Sequence, residues 1–111
     1  MALVSVICLS YNHAPFLAEA LQSVFAQTYT DWELLIVDDA SQDESVAVIT
    51  ETISAWKGRQ VVRFFQNKEN QGNCKSFNLA YAHAEGAYIL DLAGDDVLLP
   101  TRLASQVALF G

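Results

Sequence analysis

The stretch Trp32-Glu33-Leu34-Leu35-Ile36-Val37-Asp38-Asp39 decides the fold. Residues 32–37 form an apolar run too short for a typical helix, and it stops on two carboxylates. Such a run fits a strand buried on both faces, as parallel sheets covered by helices require. Three similar segments flank it: Leu3 to Leu9, Gln60 to Phe65 and Ala87 to Leu92.

Between these strands the apolar period changes to that of a helix. Pro15 opens the first helical stretch, where its missing N–H does no harm, and Leu17, Leu21, Val24 and Phe25 share one face. Ser41-Gln42-Asp43-Glu44 has capping-box spacing ahead of Val46, Ile49, Ile53 and Trp56, and Gly58 is the expected terminator. The polar loop Asn67 to Gly72 precedes a third helix with Phe77, Ala80, Tyr81 and Ala84 on one stripe, ended by Gly86. Pro100 starts a last helix through Leu103, Val107 and Phe110. The sum is β-α-β-α-β-α-β-α, an α/β fold with a mainly parallel four-stranded sheet. Right-handed crossovers that build outward from the first strand and then reverse give the order 3-2-1-4.

Composition narrows the function. Of 111 residues 52% are hydrophobic and 17% charged, which argues against disorder. The net charge is −7 and the six cations are scattered, so no basic stripe faces a nucleic acid. An acidic protein that handles phosphorylated ligands needs positive charge from elsewhere, and a divalent cation is the usual source. Cys8 lies in an apolar run and reads as a small buried hydrophobe, and Cys74 is far from it, so no disulfide framework is implied. Met1 leads straight into the first strand with no basic leader, and no run approaches 18 apolar residues, so the expected placement is cytoplasmic. The chain stops on a helix that still carries apolar residues, so the domain is expected to continue past Gly111.

Ligands of an open parallel sheet bind beyond the carboxyl ends of its strands. Those ends carry Ser10-Tyr11-Asn12, Asp38-Asp39 and Gly94-Asp95-Asp96. Each acidic pair alone also fits a helix cap or a turn. Together they gather four carboxylates, whose mutual repulsion a hard cation such as Mg²⁺ or Mn²⁺ relieves. A phosphoacceptor receiver domain also gathers carboxylates there, but it wants an Asp after its third strand and a Lys after a fifth. The turn after the first strand has no glycine, which argues against dinucleotide and P-loop sites.

Val4 to Asn12 (VSVICLSYN), Ile36 to Ser45 (IVDDASQDES), Asn70 to Ala80 (NQGNCKSFNLA) and Glu85 to Asp96 (EGAYILDLAGDD) resemble, in order and spacing, the motifs of family 2 glycosyltransferases. Phe25 to Asp39 is similar to that family's bridge between its first two motifs. The resemblance implies a GT-A fold of which residues 1–111 form the nucleotide-binding part, the acceptor part being absent. It implies that Tyr11 packs on the base, with Ser10 beside it. Asp39 would accept the base imide, which favours a UDP- or dTDP-sugar. Asp38 would support the turn or reach the ribose. Asp95 would contact ribose or metal and Asp96 the metal that bridges the phosphates. Lys75 either adds a cation near the diphosphate or is solvated.

The resemblance further implies inverting transfer to a hydroxyl of a glycan or lipid-linked acceptor. The general base would lie beyond residue 111, so no catalytic residue is named here, and the full protein would work in the cytoplasm at the inner face of the membrane. Two positions depart from the common pattern: Ala93 stands where many relatives have Asp, and Phe77 where Arg is frequent. Ala93 also suits an alternative, a non-catalytic nucleotide-binding or regulatory module. His13 is expected to cap a helix or line the site mouth, and His83 to be structural. A bare fourth strand, apolar on both faces, is expected to make the chain self-associate.

Overall fold

Strands and helices alternate through the computed structural model, which describes residues 3–110. The order is β1 (Val4–Ser10), α1 (Ala14–Phe25), β2 (Trp32–Asp38), α2 (Ser45–Ala55), β3 (Val62–Gln66), α3 (Asn73–His83), β4 (Tyr88–Ala93) and α4 (Arg102–Phe110). Met1 and Gly111 lie outside the described residues, as does the side chain of Phe110, so the expectations placed on them are not addressed. All strand pairs are parallel and the order is β3-β2-β1-β4, as expected from the sequence.

Every residue of β2 is buried. Removing a Leu, Ile or Val side chain from water contributes about 1.5–3 kcal/mol each, so this strand is a main source of the fold's stability. Its alternate residues feed two cores. Leu34 and Ile36 join Val6, Cys8, Leu90 and Leu92 under α1, α2 and α4, through Leu17, Leu21, Val24, Ile49 and Leu103. Leu35 and Val37 join Ile7 and Ala80 under α3 alone. Phe25 stacks on Trp56 with centroids 4.4 Å apart, and both rings lie beside Trp32 at the amino end of the first core. Cys8 is fully buried, and loss of solvation pushes its thiol up to about 12, so it stays an inert apolar group.

Several local expectations are corrected. The capping box does not form: α2 starts at Ser45, and Ser41 spends its hydroxyl on Asp38 and on the Asn12 N–H. Helices α2 and α3 end at Ala55 and His83 with extended residues, Trp56 and Ala84, so Gly58 and Gly86 lie past the ends and are not caps. The last helix begins at Arg102, two residues after Pro100. Strand β4 is not apolar on both faces. Leu90 and Leu92 are buried, whereas Asp91 and Ala93 are exposed, because α3 lies over β1 and β2 and leaves that face of β4 open.

At the amino edge, the buried Glu33 carboxylate ties three segments. It accepts the Ser5 hydroxyl at 2.6 Å and the Glu85 N–H at 2.6 Å, while the Gly86 N–H donates to Ser5 Oγ at 2.8 Å. Burying a carboxylate is costly unless it is hydrogen-bonded, and here its donors come from the neighbouring strand and from the turn between α3 and β4. Glu33→Ala is expected to lower stability by about 2 kcal/mol, since the Glu85 N–H loses its acceptor; urea denaturation with an unchanged m-value checks this. The free edge of β4, with Leu99 75% and Leu109 81% exposed on the segment that follows, predicts self-association of the chain. Sedimentation at high micromolar concentration should show dimers or larger species, and a strictly monomeric boundary would contradict the expectation.

Candidate nucleotide site at the carboxyl edge

The sheet ladder runs one residue past three strands. Asp39 N–H donates to Ser10 O, Asn67 N–H to Asp38 O and Gly94 N–H to Leu9 O, each at 2.9 Å. With Ser10 paired to Asp38 and Leu9 to Ala93 in register, this delivers Ser10, Asp38, Asp39 and Gly94 to one edge. A cleft of about 460 Å³ opens at the opposite edge, lined by Asp31, Glu33, Arg59, Gln60 and Glu85. Its buried carboxylate is already committed to Ser5 and Glu85.

Asp38 and Asp39 are both buried, yet they do different work. Asp38 accepts the Ser10 hydroxyl at 3.0 Å, the Ser41 hydroxyl at 2.6 Å and the Ser41 N–H at 2.9 Å, so it locks the end of β1 to the turn after β2. Asp39 turns toward the loop before α3. Its Oδ1 accepts Asn67 Nδ2 at 3.0 Å and the Gln71 N–H at 2.7 Å, and its Oδ2 accepts the Gly72 N–H at 2.9 Å. Gly72 is the residue before α3 and has φ +87°, a conformation glycine adopts without a Cβ penalty. A carboxylate offers about four acceptor positions, and these three donors with the neighbouring Ser76 hydroxyl account for them. Burial raises the Asp39 carboxyl, but the Gln71 N–H, the Asn67 amide, the Gly72 N–H and the Ser76 hydroxyl outweigh it and hold it below 3.8.

The loops after β1 and β2 interlock. Asn12 Oδ1 accepts the Gln42 N–H at 2.8 Å, and the Asn12 N–H donates to Ser41 Oγ at 2.9 Å. Asp43 accepts the Ala14 N–H at 3.1 Å and the Ser45 N–H at 2.9 Å, so one carboxylate serves the N-termini of both α1 and α2. The Ser45 hydroxyl foremost, with the Ser45 and Ala14 N–H groups against a smaller burial effect, keeps its carboxyl low. Asn12 and Ala40 have φ +55° and +63°. Asn tolerates that region, but for Ala it is strained, and the interlocked loops hold it there.

The Gly94-Asp95-Asp96 turn is held more lightly. Asp96 N–H donates to Ala93 O at 3.0 Å, and Asp96 Oδ1 accepts the next N–H, from Val97, at 3.0 Å. Asp95, Asp96, Lys75 and Tyr11 are all exposed. Among the described residues no three His, Cys, Asp or Glu side chains stand close enough to hold a metal on their own. A cation held by Asp95 and Asp96 would therefore have to draw its other ligands from phosphate oxygens and water, the usual habit of Mg²⁺. His83, expected to be structural, stacks on Phe65 at 4.9 Å, and Phe77 packs under α3 against the second core.

The model of glycosyl transferase family 2 matches residues 5–111. The chain belongs to glycosyl transferase family 2. Among its relatives, EpsE of Bacillus subtilis is 39% identical over 105 residues, covering 95% of this chain and 37% of EpsE. The uncharacterized glycosyltransferase alr2836 of Nostoc sp. is 39% identical over 107 residues, covering 96% of this chain and 32% of the relative. Among solved structures, S. aureus TarS 1–349 in complex with UDP superposes with a TM-score of 0.85 at 26% identity, covering 99% of this chain and 32% of TarS 1–349. The mannosyltransferase PcManGT of Pyrobaculum calidifontis, in complex with GDP-Man and Mn²⁺, gives 0.88 at 26% identity, covering 95% and 31%. The fold is thus the GT-A type, and the chain spans about a third of the length of these relatives and solved structures.

Three contributors escape a sequence reading. Gln27 is buried and donates to Ser23 O and Leu99 O while accepting the Leu103 N–H, which pins the segment after Asp96 to the end of α1. Asn67 bridges Asp39 and Ser76. His13, expected to cap a helix or line the site mouth, stands at the N-cap position of α1 without a side-chain capping bond, and its ring approaches Asp95. Only the polar character of these residues is visible in the sequence; their partners lie up to 76 residues away.

The depressed carboxyls set an acid limit. A group that binds protons less readily in the folded chain stabilises it fully above its unfolded value, near 3.8 for Asp39 and Asp43. That stability is lost as pH falls through the lower folded values. Thermal midpoints should therefore drop below about pH 4, and Asp39→Asn should flatten this drop while lowering the midpoint at neutral pH.

Proposed function

We propose that this chain is the nucleotide-sugar-binding part of a glycosyltransferase that uses a UDP- or dTDP-sugar. The observation that carries the reading is the buried Asp39 carboxylate, fixed at the carboxyl edge by the loop before α3, with the Gly72 N–H on its Oδ2. Uracil and thymine offer one imide N–H, which a carboxylate oxygen accepts. Tyr11, 41% exposed beside Ser10, supplies the face on which the base packs. Asp38 holds the turn beneath the ribose, Asp95 reaches ribose or metal, and Lys75 stands on the first turn of α3 as a further cation for the diphosphate.

Asp96 is the foremost metal ligand and Asp95 the second, for Mg²⁺ or Mn²⁺. The bound cation supplies positive charge to the diphosphate as the sugar–phosphate bond breaks. Transfer would go to a hydroxyl of a glycan or lipid-linked acceptor, with inversion, and the general base would come from outside these 111 residues. No described helix is long and apolar enough to cross a membrane; cytoplasmic work at the inner face of a membrane is part of the proposal. The exposed Ala93 at the end of β4 favours a second reading, a nucleotide-binding module without transferase activity. Transfer assays on a full-length protein separate the two, because only the first forms product.

Titration calorimetry tests the site directly. UDP should bind more tightly with Mn²⁺ than without it, and Asp96→Ala should remove that difference, with Asp95→Ala having the smaller effect. Asp39→Ala should weaken UDP binding by roughly 1.5–3 kcal/mol, the scale of a hydrogen bond to a charged group. CDP should bind at least about tenfold more weakly than UDP, since cytosine N3 is an acceptor facing a carboxylate. Equal affinity for UDP and CDP would remove Asp39 from the base site.

A further inference from the structure

The two halves of the carboxyl edge are built to different standards. Asp38, Asp39 and Asp43 each accept at least two hydrogen bonds from neighbouring segments. Asp95 has none: among the described residues, the only charged or ionisable partner within reach of its carboxylate is His13, with Nε2 3.9 Å from Oδ2. The same imidazole covers Gly94, where a Cβ would stand 2.6 Å from His13 Nδ1 and 3.1 Å from a Leu17 methyl. Gly94 is therefore required by close approach of the ring rather than by its backbone angles.

We propose that His13 is a positioning residue for the Gly94-Asp95-Asp96 turn. This rests on the reading of that turn as part of the nucleotide and metal site. The His13 backbone is fixed on both sides: its N–H donates to Ser45 Oγ at 3.0 Å, and its carbonyl accepts the Phe16 and Leu17 N–H groups that open α1. Its Nδ1 is buried against Gly94 with no partner. The other ring nitrogen, Nε2, faces the turn and stands 3.9 Å from Asp95 Oδ2. One side chain thus transmits the rigid frame of α1 and α2 to the least supported carboxylate of the edge. It does so by packing, through Gly94, and by bringing Nε2 close to Asp95, though beyond direct hydrogen-bond length.

Hydrogen exchange of the ligand-free chain reads the packing, and UDP titration with and without Mn²⁺ reads the approach of Nε2 to Asp95. His13→Ala should speed exchange of the Gly94, Asp95 and Asp96 amides at least about fivefold while the β1 and β2 amides keep their protection. It should also weaken Mn²⁺-dependent UDP binding about tenfold, the lower end of effects seen for groups that orient metal ligands. His13→Phe keeps a ring on Gly94 and guards against loss of folding. It should restore slow exchange but not the Mn²⁺-dependent affinity. Unchanged exchange at residues 94–96 in His13→Ala overturns the positioning role. Wild-type affinity in His13→Phe overturns the part assigned to Nε2. A wild-type chain that binds no UDP in either condition refutes the nucleotide reading instead, and the exchange result still decides whether His13 holds the turn.

Discussion

The carboxyl edge depends on two buried carboxylates at the end of β2, Asp38 and Asp39, whose negative charge is stabilised almost wholly by donors from other segments. Asp38 binds the Ser10 hydroxyl and the Ser41 turn, and Asp39 binds Asn67, Gln71 and Gly72. Taking such groups out of water costs several kcal/mol when they are left unpaired. The loops therefore close around them in one arrangement or not at all. This is why the turn after β1, the turn after β2 and the loop before α3 form a single frame, although Ser10 and Gly72 stand 62 positions apart in the chain. The strained φ of Ala40 survives inside that frame because its neighbours are held on both sides.

The same frame explains why the second half of the edge differs. The Gly94-Asp95-Asp96 turn follows β4, the strand at the margin of the sheet, and its support is mostly backbone. Exposed carboxylates with few protein partners are poor structural groups but good ligands, since their lone pairs remain free for a cation and its phosphates. Under the proposed function, a rigid end for the base and a lightly held end for the metal would suit a ligand that spans both. The buried Gln27 prevents the lightness from spreading, because it fixes Leu99 and Leu103 just beyond the turn.

Much of this was legible in the chain itself. The four apolar runs are short and bounded, and the intervening stretches repeat at helical spacing, so the element order, the parallel sheet and the order β3-β2-β1-β4 follow from local pattern and handedness. Four motifs in register pointed to the family. Boundaries were less legible: the strands β1, β2 and β3 run one residue further than their apolar letters, because pairing with a neighbour continues through Ser10, Asp38 and Gln66 whatever their polarity.

What only the tertiary structure decided is which polar group meets which. Ser41 had the spacing of a capping box, yet its hydroxyl went to Asp38, a partner the spacing rule does not include. Glu33 looked like one polar residue in an apolar strand, and became the tie between β1 and the turn before β4. His13 looked like a cap and came to lie against Gly94 and Asp95. The physical reason is range. Hydrophobic periodicity is written within a dozen residues and survives in the letters, whereas a hydrogen bond forms only within about 3.5 Å and its partners here stand up to 81 residues apart. The sequence determined the layers and the edge on which chemistry gathers; the folded chain alone chose the partners of each charge.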